Sequence, residues 1–193
     1  MVIHLIRHGS TYANENKLFC GKTDLPLSEF GEKQIAQNIT NCIYPDADFV
    51  ISSSRARAIQ TASLIYPDIK PVLIDDLDEC NFGEFEMKTY EQVKDLDECI
   101  RWVNDTTGDV KCPDGESQNE FKLRVLQGFS YGIELIRAQS IKSAAVIIHG
   151  GSIVHIMQSL FDETQDDPAI QPDNGCGYTI ILSENGDYSY KTI

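Results

Sequence analysis

Two short apolar runs, at 2–6 and 144–148, constrain this chain most, because each ends in a histidine that is followed by glycine. The first runs into Arg7-His8-Gly9-Ser10-Thr11 and the second into His149-Gly150-Gly151-Ser152. Both runs read as buried strands. In an open α/β sheet, ligands bind outside the carboxyl ends of the strands, and glycine there lets the backbone come close to an anion. The pattern predicts a phosphate pocket that contains two imidazoles.

The rest of the chain alternates in the same way. Hydrophobic periodicity predicts helices at 29–42, 56–66, 117–138 and 152–161, and strands at 49–52 and 71–74. Ser117-Gln118-Asn119-Glu120 fits a capping box at the start of the long helix. Two extended runs at 178–182 and 188–191, around Asn185-Gly186, predict a closing hairpin. This alternation predicts an α/β fold of three layers, α/β/α, with a mainly parallel central sheet. Residues 1–193 are expected to form one domain. At about 75–116 regularity fades and acidic residues, glycine and aromatics accumulate, which marks a small cap inserted over the sheet.

Composition removes several function classes. Thirty acidic against sixteen basic residues give a formal charge of -14, which argues against nucleic acid or an anionic membrane surface as partner. Neither a membrane span nor a signal-peptide core is apparent, since Arg7 and His8 interrupt the N-terminal run; a cytoplasmic location is expected. The six cysteines show no CxxC pair and no zinc-ligand spacing, so reduced thiols and no metal are expected.

Charge of the opposite sign gathers at the strand ends. Arg7 and His8 are adjacent, with Ser10, Thr11 and Asn14 close behind. Arg55 and Arg57 stand at the junction of a strand with a helix N-terminus, where the helix dipole also favours an anion. A loop rich in carboxylates, Leu77-Asp78-Glu79-Cys80-Asn81-Phe82-Gly83-Glu84-Phe85-Glu86, adds groups able to move a proton. His4 and His155 match no motif and read as structural.

These segments in this order resemble the histidine phosphatase superfamily, in its phosphoglycerate mutase-like branch. The resemblance rests on LIRHGST, GKTDLPLSEFGEKQ from Gly21, RAIQTA from Arg57, LDECNFGEFE from Leu77, PDGES from Pro113 and HGGSI from His149. It implies phosphoryl transfer through a phosphohistidine without a metal or other cofactor. His8 would be the nucleophile, and Arg7 and Arg57 the phosphate clamps. His149, protonated, would hold a phosphoryl oxygen, and Asn14 would be a further phosphate contact. Glu79 would be the general acid, with Glu84 as its rival, and Arg55 would be a surface or substrate-tail contact. Met87 departs from the family pattern, which often has glycine there.

The short GxTDxPLS and PxGES stretches resemble the phosphatase members, including the α-ribazole 5'-phosphate phosphatases of cobalamin nucleotide-loop assembly. The expected activity is therefore hydrolysis of a small phosphorylated metabolite, with α-ribazole 5'-phosphate favoured. The alternatives are a phosphoglycerate mutase primed by 2,3-bisphosphoglycerate and a phosphate-ligand binding or regulatory protein without catalysis. A homodimer is compatible with this reading.

Overall fold

A computed structural model describes residues 1–161, 171–183 and 188–193. In chain order these form β1 (Val2–Arg7), α1 (Tyr12–Glu15), α2 (Glu29–Thr40), β2 (Phe49–Ser52), α3 (Ala56–Ile65), β3 (Val72–Leu73), α4 (Tyr90–Val93), α5 (Asp97–Val103), α6 (Gln118–Ala138), β4 (Ser143–Ile148), α7 (Gly150–Phe161), β5 (Gly177–Leu182) and β6 (Tyr188–Thr192). The six strands make one sheet in the order β3-β2-β4-β1-β5-β6. Pairing is parallel from β3 through β2 and β4 to β1, then antiparallel from β1 through β5 to β6. The expected closing hairpin is present as the β5–β6 pair; its turn at Asn185-Gly186 lies outside the described residues.

The apolar runs lack alternation because both faces of the central strands are covered. Ile3, Leu5, Val146 and Ile148 pack with α6 and α7, whereas Ile6, Ala145 and Ile147 pack with Ala58 and Ala62 of α3. This yields the three layers. α6 starts at Ser117, whose hydroxyl accepts from Glu120 N while the Glu120 carboxylate accepts from Ser117 N, the capping box anticipated from sequence.

Residues 75–116 are more regular than expected, for they hold α4 and α5 and short 3-10 turns at Asp75–Leu77 and Gly83–Phe85. Helices of four and seven residues offer too few turns to display a period. The segment packs around its own cluster of Phe85, Val93, Cys99 and Cys112, joined by Phe19, Phe82 and Trp102. None of the six cysteines is in a disulfide.

Register then builds the site. Arg7 pairs with Ile148 and Ser52 with Ile147, so His8, His149 and Ser53 emerge side by side at the carboxyl ends of β1, β4 and β2.

Candidate active site

His8 is buried, and its Nδ1 lies 2.7 Å from Gly9 O. A carbonyl can only accept, so Nδ1 carries the proton and Nε2 keeps its lone pair. Burial, reinforced by Arg57 and Arg7, holds the His8 pKa well below its ordinary value of 6.5. The ring is therefore a neutral imidazole with a free Nε2. Its neighbour, His149, stands edge-on with ring centroids 5.0 Å apart.

The His149 imidazole is spoken for at both nitrogens. Arg57 Nε donates to Nδ1 at 3.3 Å, which leaves the proton on Nε2, 2.7 Å from Ser53 Oγ. Burial and then Arg57 and His8 push its pKa well below 6.5. An imidazolium at His149 would face the Arg57 guanidinium, so its protonated form, expected against a phosphoryl group, needs that negative charge beside it.

Arg57 is 1% exposed and has no carboxylate partner among the described residues. Its terminal nitrogens donate instead to Gly21 O at 2.9 Å and Thr23 O at 3.0 Å. That loop is itself built on a carboxylate: Glu86 accepts from the backbone amides of Gly21, Lys22, Thr23 and Phe82 at 2.9–3.2 Å. Gly21 is required because a Cβ there would lie 1.5 Å from Cys80 O. Carboxylate, loop amides, loop carbonyls and guanidinium form one relay that fixes Arg57.

Arg7 donates from Nη1 to Pro172 O at 2.8 Å, while its Nε is buried with no hydrogen-bond partner among the described residues. Such a buried donor costs about 1–3 kcal/mol until an acceptor arrives. Asn14 caps α1, its Oδ1 accepting from Thr11 N and Oγ1, which leaves Nδ2 without a protein acceptor among the described residues. Asn174 bridges the two regions, with Nδ2 3.0 Å from His8 O and 3.4 Å from Asn14 Oδ1.

Glu79 enters from the other side. Its Oε2 accepts from Gly151 N at 3.0 Å and its Oε1 from Cys80 N at 3.0 Å, so the carboxylate sits at the positive N-terminal end of α7. A Cβ on Gly151 would lie 2.5 Å from Glu79 Oε1, so only glycine allows this approach. A cleft of about 550 Å3 opens beside Glu79, walled by Phe82, Val103, Phe121, Val154 and His155. On that wall the buried His155 Nδ1 and Gln158 Nε2 have no hydrogen-bond partner among the described residues. Of the other two candidates, Glu84 is exposed, whereas Arg55 is ion-paired with Asp78, its Nε donating at 2.7 Å, lines a depression together with Glu79 and is among the charges that lower the His149 pKa.

A buried neutral imidazole close to two guanidiniums, one of which also feels the Glu79 carboxylate, is equipped for phosphoryl chemistry. The sequence profile described as histidine phosphatase superfamily (branch 1) matches residues 3–193. The chain belongs to the histidine phosphatase superfamily.

Within that family it is similar to the adenosylcobalamin/alpha-ribazole phosphatase of Escherichia coli (strain K12), 29% identical over 95% of this chain and 91% of that one. It is also similar to a Yersinia pestis (strain Pestoides F) protein named probable phosphoglycerate mutase, 31% identical over 69% of this chain and 63% of that one. The fold matches the crystal structure of the alpha-ribazole phosphatase from Shigella flexneri with a TM-score of 0.85 at 24% identity, over 100% of this chain and 96% of that one. Such relatives make this histidine phosphatase an enzyme by family. No helix among the described residues is long and apolar enough to cross a membrane.

Sequence reasoning brought Arg7, His8, Arg57, Glu79 and His149 to one place. The sequence alone gives no role to Ser53, Glu86 or Asn174: Ser53 adjoins the strand end at Ser52 and Glu86 lies within the LDECNFGEFE segment, but their partners come from other elements, and Asn174 belongs to no motif.

Proposed function

We propose that this histidine phosphatase hydrolyses phosphomonoesters through a phosphohistidine at His8, with α-ribazole 5'-phosphate as its substrate. The observation that carries the reading is the Nδ1–Gly9 hydrogen bond, which leaves the His8 Nε2 lone pair free between Arg7 and Arg57. The unpartnered Arg7 Nε adds a donor that a phosphoryl oxygen would satisfy.

In the first step Nε2 attacks phosphorus, the bond from phosphorus to the ester oxygen breaks, and protonated Glu79 gives its proton to the departing alkoxide. Arg7 and Arg57 neutralise the equatorial oxygens, and a dianion beside His149 favours an imidazolium there. In the second step Glu79 takes a proton from water, the oxygen attacks phosphorus, and the P–N bond breaks to regenerate neutral His8. Phosphate leaves.

The substrate assignment draws on two features. Similarity to the Escherichia coli phosphatase runs along nearly the whole of both chains, whereas the mutase-like relative matches over 63% of its length. The cleft beside Glu79, about 550 Å3, is of small-molecule size and mixes aromatic and apolar walls with unpartnered nitrogens, which suits a flat heterocycle carrying a ribose.

The test is phosphate release from α-ribazole 5'-phosphate, 3-phosphoglycerate, sugar phosphates and an aryl phosphate, in EDTA, with His8→Ala as control. The expected result is EDTA-resistant release, fastest from α-ribazole 5'-phosphate and absent in the variant. Isomerisation of 3-phosphoglycerate without phosphate release would instead identify a mutase.

A further inference from the structure

Arg124, on α6, touches no part of the phosphate pocket, yet it spends all five N–H donors on two short segments that flank Glu79. Nε donates to Glu116 Oε1 at 2.8 Å. Nη1 donates to Asp76 O at 3.0 Å and Asp78 O at 3.1 Å, and Nη2 to Glu79 O at 3.2 Å and Glu116 Oε2 at 2.8 Å. Glu116 Oε2 also accepts from Asn81 N at 2.8 Å. The bidentate pair therefore grips the backbone of Glu79 from both sides, by its own carbonyl and those before it and by the amide two residues after it.

We infer that Arg124 and Glu116 are positioning residues for the proton-transfer step, acting through Glu79. The inference rests on the reading of Glu79 as general acid. Ordinary packing would not require a guanidinium with every donor used, and a neutral or single-point donor could not replace it: the planar fork alone spans three carbonyls and a carboxylate. Tolerance at the far end is small. Glu79 Oε1 already sits where a Cβ on residue 151 would intrude, and its two amide donors come from different segments, so a slide of the 76–81 loop withdraws the carboxyl from the leaving oxygen. A displacement of about 1 Å at a reacting group costs up to roughly a hundredfold in rate.

The test is the dependence of kcat/KM on the leaving group, since kcat/KM reports steps up to its departure. An alkyl phosphate needs a proton on its alkoxide, whereas p-nitrophenyl phosphate does not. Glu79→Gln is expected to lose about a hundredfold on the alkyl ester and little on the aryl one. Arg124→Lys and Glu116→Gln should each lose at least about tenfold on the alkyl ester and under about threefold on the aryl ester. Neither should add to that loss in the Glu79→Gln background.

Inhibition by inorganic phosphate reports Arg7 and Arg57 and should stay unchanged in Arg124→Lys and Glu116→Gln. If Arg124→Lys is poorly folded, Glu116→Gln, closer in shape, carries the test. Equal losses on both esters, or no loss, in a protein whose Glu79→Gln variant does discriminate would overturn the positioning inference alone. Absence of discrimination in Glu79→Gln itself would remove the acid assignment and the inference with it.

Discussion

At His8 one hydrogen bond to Gly9 O selects the tautomer, and burial with two flanking guanidiniums keeps the ring neutral. The sign of the pH effect follows. A pKa depressed below 6.5 means that Nε2 stays unprotonated as pH falls through 6.5, so kcat/KM corrected to the substrate dianion should show no loss from protonation of His8 there. An acid limb with its midpoint at or above 6.5 would contradict the description of the free enzyme. The five central side chains were legible because each belongs to a contiguous motif at a strand end or loop. The partners of His149 were not, since Ser53 and Arg57 approach from another strand and helix.

Among the elements, the loop from Gly21 to Thr23 carries the most consequence for its size, because it transmits the hold of Glu86 to Arg57. Glu86→Ala leaves four backbone amides without their acceptor, and a loss of at least about 2 kcal/mol is expected in urea denaturation, with weaker inhibition by inorganic phosphate. Wild-type phosphate affinity in that variant would show that Arg57 does not depend on the loop.

The next residue explains a departure seen in the sequence: Met87 has φ +61°, the left-handed region that glycine occupies without strain. Met87→Gly should therefore raise stability by about 1 kcal/mol, and a lower midpoint would mean that the packing of the Met87 side chain outweighs the strain. Strands and long helices were readable from periodicity and capping, as α6 shows. The short helices of 75–116 were not, because their order comes from a local cluster around Phe85 and Trp102 and from hydrogen bonds that close long loops.

For the whole molecule, all four histidines have pKa values lowered by burial, His155 to about 4. The unfolded chain then binds more protons below pH 6.5 than the folded one, so stability is fully present above 6.5 and is lost as pH falls towards 4. His155 alone contributes about 3 kcal/mol to that loss. Urea denaturation at pH 7.5 and 4.5 should show the decline, reduced in His155→Phe; an unchanged decline would assign it to other groups. A chain of net charge -14 nonetheless gathers the buried Arg57, the half-buried Arg7 and two buried imidazoles at one end of a sheet, and that inversion is what the two strand-end histidine motifs announce.

The most direct test of the account is a rapid-quench reaction with p-nitrophenyl phosphate, stopped in alkali and followed by peptide mapping. The account predicts one acid-labile, alkali-stable phosphoryl group on the peptide bearing His8, formed at the rate of the p-nitrophenol burst and absent from His8→Ala. Turnover without phosphoryl on His8, or a phosphoryl group on another residue that turns over, would contradict it.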